Sequence, residues 1–265
     1  MDYLFDNWGR IQESLKDKYL FIFLDFDGTV APITATPDQA ALSVETSGLI
    51  KKLSANPQIC LAFISGRSIS DLKEKIKIDN IIYSGNHGLE IEGPKIKFVY
   101  TVAADFRKNL EQIKSVLAGN YSSIKGLLIE DKGLSLSLHY RMAEESQIPQ
   151  IKAIFEEALA PYKENAGLKV KYGKKIFEVC PAVQWDKGKV VLWLLSRQVF
   201  ASKDKQVFPI YIGDDVTDED AFKALRGKGL TVFVGESGQS EAQYYVKNPA
   251  QVAQLLQDLE LIKEK

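Results

Sequence analysis

Cysteine, histidine and methionine are scarce in this chain of 265 residues, with two of each, and tryptophan occurs three times. Cys60 and Cys180 are too few for a disulfide framework. Both stand on or beside apolar runs, where buried free thiols are expected. Neither sign of charge is in excess, with 34 Lys and Arg against 35 Asp and Glu, so there is no basic footprint for nucleic acid. No apolar run is long enough to span a bilayer, and Met1-Asp2-Tyr3-Leu4 opens no signal peptide. Internal repeats and low-complexity segments are missing too. These absences leave a globular enzyme or binding domain, expected to be cytoplasmic and monomeric, with no membrane and no nucleic-acid partner. Its length suits one large domain or two small ones.

The most informative stretch is Phe21-Ile22-Phe23-Leu24-Asp25-Phe26-Asp27-Gly28-Thr29. Four large apolar residues in a row suit a strand buried on both faces, as in the middle of a parallel sheet. Ligands gather beyond the carboxyl ends of such strands, and there the chain places Asp25 and Asp27. Two carboxylates this close need a cation, a set of donors or a shared proton. Mg²⁺, which uses one or two carboxylates, waters and a substrate phosphate, is the simplest compensation. Alternatively Asp27-Gly28 is only a turn after a strand.

Three later stretches repeat the pattern of an apolar run ending in reactive groups. Phe63-Ile64 leads into Ser65-Gly66-Arg67, a hydroxyl and backbone donors at the start of a helix, suited to seating a phosphate. A plain N-cap is the competing reading, which Ser68 fills equally well. Lys187 and Lys189 both precede a helical pattern. Ile210-Tyr211-Ile212 ends in Gly213-Asp214-Asp215, with Asp218 beyond; Asp214 and Asp215 also suit a helix cap. Between them, Ile81 to Ser84 reads as a strand leading to Gly85-Asn86-His87-Gly88, a loop where substrate contacts accumulate. A lone histidine such as His87 is more often structural. From about Thr101 to Pro181 the order becomes helix, two strands, helix, two strands, an α+β unit rather than more doubly wound sheet.

Strand-ending acids, a strand-ending serine, a lysine and further acids, in this order, resemble the haloacid dehalogenase (HAD) superfamily of phosphotransferases. The resemblance implies an α/β fold with a Rossmann-like parallel-sheet core in two parts, residues 1–100 and 182–265, and an inserted α+β cap of the C2 type at 101–181. It also implies catalysis by Asp25 as nucleophile, Asp27 as general acid and base, and Lys187 as the neutralising cation. Phosphate would sit on Ser65, Gly66 and Lys187. Mg²⁺ would be held by Asp25, the Asp27 carbonyl and Asp214, with Asp215 and Asp218 beside it.

The polar sets Glu130-Asp131-Lys132-Gly133, Leu138-His139-Tyr140-Arg141 and Gly173-Lys174-Lys175-Ile176-Phe177-Glu178 lie in the insert. Taken singly each reads equally as a solvated strand edge. Together with the motifs above they are similar to the trehalose-6-phosphate phosphatase family, from about residue 20 to 235. One departure is Cys180, where that family usually has arginine. The resemblance implies a sugar-phosphate substrate contacted by Arg67, Asn86, His87, Arg141, Lys174 and Glu178, and a trehalose-6-phosphate synthase as metabolic neighbour. Other readings are a phosphatase for sucrose, mannosylglycerate or glucosylglycerol phosphates, a sugar phosphomutase, and a non-catalytic sugar-phosphate-binding module.

Overall fold

The computed structural model describes residues 1–162, 167–201 and 206–264. The elements run β1 (Asp2–Tyr3), α1 (Trp8–Leu15), β2 (Tyr19–Leu24), α2 (Val44–Ala55), β3 (Ile59–Ile64), α3 (Ile69–Ile76), β4 (Ile82–Gly85), β5 (Glu90–Gly93) and β6 (Ile96–Val99). There follow α4 (Ala104–Asn120), β7 (Leu128–Asp131), β8 (Leu136–His139), α5 (Ile148–Leu159), β9 (Leu168–Gly173) and β10 (Ile176–Pro181). The chain ends with α6 (Lys187–Ala201), β11 (Val207–Gly213), α7 (Glu219–Leu225), β12 (Leu230–Val234), β13 (Tyr244–Val246) and α8 (Pro249–Glu264). It divides into two compact units, one of residues 1–33, 40–98 and 185–265, the other of 34–39 and 99–184.

The first unit is built on a nine-stranded sheet in the order β1-β13-β12-β11-β2-β3-β4-β5-β6. Pairing is parallel from β1 through to β4 and antiparallel between β4 and β5. The apolar run expected to be central is central: β2 lies between β11 and β3. Its side chains alternate between two cores, as a period of two requires. Leu20, Ile22 and Leu24 pack with Ile50 and Leu53 of α2, Leu72 of α3 and Leu255, Leu256 and Leu259 of α8. Phe21 and Phe23 point the other way, into a cluster with Val190, Val191 and Leu194 of α6 and Phe222 and Leu225 of α7. Helices therefore cover both faces, and burial on both faces explains why β2 lacks a polar residue.

Parallel register decides where the strand ends fall. Leu24 is opposite Ile212 on one side and Phe63 on the other, and Ile64 is opposite Ser84. The residues after these strands, Asp25, Asp214, Ser65 and Asn86, consequently share one edge of the sheet. Two strands were not legible from the sequence: β1 and β13 have two and three residues, too short to show a period. Leu4, Trp8, Ile11 and Leu15 recur at helical spacing, and α1 is entered through a 3₁₀ turn over Leu4–Asn7.

The second unit is a four-stranded antiparallel sheet, β7-β8-β10-β9. Leu136, Leu138, Phe177 and Val179 on one face pack with Ile113 and Leu117 of α4 and Ile151 and Phe155 of α5. The opposite face, one residue out of phase, is polar at Ser137 and Glu178. Among the described residues no helix is long and apolar enough to cross a membrane, and Cys60 and Cys180 are both free thiols.

In the first unit Lys263, near the end of α8, is only 5% exposed. Its ammonium donates to the carbonyls of Leu15 at 2.7 Å, Lys16 at 2.7 Å and Lys18 at 2.6 Å. Leu15 and Lys16 stand at the end of α1 and Lys18 just before β2, so the C-terminal helix ties down the turn between them. Lys263→Met should remove about 1–3 kcal/mol of stability by deleting these bonds, read as a lower thermal midpoint with unchanged turnover per folded molecule.

Candidate active site

Asp25 is 6% exposed, and its amide donates to the Ile212 carbonyl at 3.0 Å, which continues the β2–β11 ladder past the strand end. Its Oδ1 accepts from Lys187 Nζ at 2.7 Å and its Oδ2 from Thr29 Oγ1 at 3.3 Å. Lys187 begins α6 and is 3% exposed; its Nζ also donates to Asp218 Oδ1 at 2.7 Å. Burial works against the ammonium charge, but Asp218 and Asp25 outweigh it and hold the lysine pKa above its ordinary value. For Asp25 burial dominates, pushing the carboxyl well above the usual carboxylate range; Asp218 and Asp214 add to this and Lys187 opposes it. The rival Lys189 is displaced by two helical positions and pairs with Asp186 at 3.2 Å.

One carboxylate oxygen from each of Asp25, Asp214 and Asp218 lies within 4.8 Å of the others. These three acids are not equivalent. Asp218 Oδ1 accepts from Lys187 and from Tyr211 Oη at 2.6 Å; its Oδ2 accepts from the amides of Asp214 at 3.1 Å and Asp215 at 2.9 Å. Four donors match the roughly four acceptor positions of a carboxylate. With Asp218 so occupied, Asp25 and Asp214 are the carboxylates of this group that could hold a divalent cation, for which hard oxygen donors are suited. Gly28 makes that juxtaposition possible: at φ +80°, a Cβ on it would stand 2.3 Å from Asp214 Oδ2. Any side chain here would push Asp214 off the site. Asp215 caps the following turn, accepting from the Val216 amide at 2.7 Å.

Asp27 turns its side chain elsewhere. Both its oxygens accept from Arg67, from Nε at 2.7 Å and from Nη2 at 2.7 Å. The Arg67 side chain is 7% exposed, reaches Asp71 through Nη1 at 2.5 Å and lies over the Phe26 ring at 5.2 Å. Asp27 and Asp71 together hold the guanidinium pKa above its ordinary value against the effect of burial. Arg67, expected among the substrate contacts, thus orients Asp27 through a rigid fork.

Of the two serines, Ser68 is the helix cap of α3, accepting from the Asp71 amide at 3.2 Å. Ser65, 2% exposed, accepts from the Arg67 amide at 3.2 Å. Asn86 and His87 follow β4 with φ of 49° and 55°. Their amides donate to Arg67 O at 2.7 Å and Ser65 O at 2.9 Å, which seats the loop on the Ser65-Gly66-Arg67 backbone. The His87 ring rests against Gly66, where a Cβ would meet Nε2 at 2.7 Å. Glu90 Oε1 secures the loop from behind, accepting from Asn86 Nδ2 at 2.7 Å and the Ile69 amide at 3.0 Å. Trp185 Nε1 donates to Gly88 O at 2.7 Å. Two successive non-glycine residues in left-handed conformations mark a loop held in strain by its surroundings.

In the second unit Glu178 is 3% exposed, and its Oε1 accepts from Lys132 Nζ at 3.0 Å, Ser135 Oγ at 3.1 Å and Ser137 Oγ at 3.2 Å. Beside this set His139 Nε2 and Glu130 Oε2 are 2.7 Å apart. Arg141 is exposed and donates to the Lys174 carbonyl at 2.9 Å. Glu178, Lys132 and the serines therefore form one polar cluster, and Arg141 and Lys174 meet at a separate edge.

Thr29, Asp71, Trp185 and Tyr211 escaped the sequence reading. Asp71 stands four residues after Arg67, a helical spacing that could have flagged it. Tyr211 carries no such signal, since it reads as one more apolar position of a strand.

The arrangement has relatives. A family model for trehalose-phosphatase matches residues 23–250. Trehalose-phosphate phosphatase B of Arabidopsis thaliana is 33% identical over 264 residues, covering 95% of this chain and 69% of its own. The solved structure of a trehalose-6-phosphate phosphatase related protein superposes with a TM-score of 0.78 at 25% identity, covering 92% of this chain and all of that one. A haloacid dehalogenase-like hydrolase from Bacteroides thetaiotaomicron shares the fold, with a TM-score of 0.63 at 16% identity, over 91% of this chain and 99% of its own. Matched along most of its length by that family model and by a relative at 33% identity, this chain belongs to the trehalose-phosphatase family.

Proposed function

We propose that this protein is a Mg²⁺-dependent phosphatase that hydrolyses trehalose 6-phosphate to trehalose and inorganic phosphate through an aspartyl-phosphate on Asp25. The observation that carries the reading is the meeting of Asp25, Asp214 and the Lys187 ammonium at the ends of two adjacent parallel strands. Phosphate monoesters hydrolyse very slowly unaided, so a nucleophile, in-line geometry and charge neutralisation must all be supplied. Asp25 supplies the nucleophile: its carboxylate attacks phosphorus while the bond to the sugar oxygen breaks. Asp27 delivers a proton to that oxygen; it then takes one from the water that attacks phosphorus and releases Asp25. Arg67 holds Asp27 in place between these steps. Lys187 opposes the effect of burial on Asp25 and faces the phosphoryl oxygens, which the Ser65 hydroxyl and Gly66 amide also receive. Mg²⁺, when bound by Asp25, Asp214 and the Asp27 carbonyl, supplies charge neutralisation for the transferring group.

The second unit is the cap in this reading. Its polar cluster around Glu178, with Arg141 and Lys174, carries the sugar selectivity of that unit, and Asn86 and His87 are the substrate contacts of the first. A many-hydroxyl leaving group requires donors and acceptors of defined geometry, which such buried sets provide. The protein works as a cytoplasmic monomer, and a trehalose-6-phosphate synthase supplies its substrate.

Phosphate release from a panel of sugar phosphates, with and without Mg²⁺, tests the assignment. Trehalose 6-phosphate should be preferred, and a preference for sucrose, mannosylglycerate or glucosylglycerol phosphate would sink the substrate. Asp25→Asn should abolish turnover with an unchanged circular dichroism spectrum; a collapsed fold would point to a structural role instead. Glu178→Gln should lower kcat/KM for trehalose 6-phosphate on the order of a hundredfold but leave a small aryl phosphate within a few-fold. Equal losses on both substrates would refute sugar reading by this cluster.

A further inference from the structure

Resting on that reading, we propose that Tyr211 is a positioning residue: its hydroxyl keeps Asp218 committed to Lys187 and out of the metal's coordination. Asp218 stands close enough to Asp25 and Asp214 to be a third ligand. What withholds it is the saturation of its oxygens, and Tyr211 supplies the shortest of the four bonds, at 2.6 Å. The tyrosine cannot easily turn away. It is fully buried, its ring lies edge-on to Phe222 at 5.7 Å and nearly parallel to Phe23 at 6.4 Å. The carboxylate is confined equally: a Cβ on Gly213 would stand 2.3 Å from Asp218 Cγ, so the backbone presses directly against it.

Removal of the hydroxyl leaves Oδ1 with Lys187 alone and opens one acceptor position within the acid cluster. A site of two carboxylates suits Mg²⁺, which retains waters and tolerates little distortion. With a third carboxylate it suits Ca²⁺, which takes six to eight oxygens in flexible geometry. The same change loosens Lys187, because the oxygen that anchors it is no longer pinned. One buried phenolic hydroxyl therefore governs both which cation the site favours and how firmly the lysine is held.

The test is calorimetric titration of chelator-treated protein with Mg²⁺ and with Ca²⁺, alongside steady-state kinetics. In Tyr211→Phe the ratio of Ca²⁺ to Mg²⁺ affinity should rise about tenfold. In the same variant kcat should fall about tenfold with KM within about twofold, the pattern of a lost transition-state interaction. Asp218→Asn should lose kcat and leave the affinity ratio within about twofold of the unaltered protein, because Asp218 is not a ligand there. An unchanged ratio in Tyr211→Phe overturns the proposal, whether or not the thermal midpoint falls. So does a clear weakening of Mg²⁺ in Asp218→Asn. If the unaltered protein releases no phosphate from trehalose 6-phosphate, the substrate assignment fails, and the metal titrations still decide the role of Tyr211.

Discussion

A lysine ammonium buried between two carboxylates is the interaction on which the remainder depends. Lys187, Asp25 and Asp218 are each less than a tenth exposed, and each alone would be costly to bury as an ion. Together they offset one another, but only in a geometry that three separate parts of the chain must supply. Asp25 comes from the end of β2, Lys187 from the first turn of α6 and Asp218 from the turn before α7. Parallel pairing of β2 with β11 brings two of these to one sheet edge, and the packing of α6 against Phe21 and Phe23 brings the third. The aromatic core beneath the site is thus part of the electrostatics above it.

Within that frame the acids divide according to what they already hold. Asp218 is saturated by Lys187, Tyr211 and two amides. Asp27 is gripped by the Arg67 fork, itself backed by Asp71 and stacked on Phe26. Asp215 caps a turn. Asp25 and Asp214 stand side by side, and Gly28 is the residue without a side chain that leaves room for Asp214. Six acidic residues lie close in sequence or space, and their different partners give them different chemistry.

The second unit separates apolar from polar more simply. Alternation along β8 and β10 sends Leu136, Leu138, Phe177 and Val179 to the helices and Ser137 and Glu178 to the opposite face. A buried glutamate on a strand would be a liability if it stood alone. Here Lys132 and two serine hydroxyls converge on one of its oxygens, and a polar cluster of this kind fixes direction as well as charge.

Much of this organisation was legible in the residues themselves. The unbroken apolar run before Asp25, its echoes before Ser65 and Asp214, and the change of pattern near Thr101 gave the fold class and the acids at the strand ends, because strand burial and strand-end chemistry are local properties. Short strands such as β13 were not legible, having too few residues to display a period. Nor was the partnership of Arg67 with Asp27, the choice of Ser68 over Ser65 as the helix cap, or any role for Tyr211. Those depend on which side chain fills the space beside which other, and that is decided by register between distant strands and by helices packing across them. That acids, a serine and a lysine gather beyond a parallel sheet follows from the order of residues along the chain; which of those acids is saturated follows from the fold, since hydrogen-bond saturation is a property of neighbours in space.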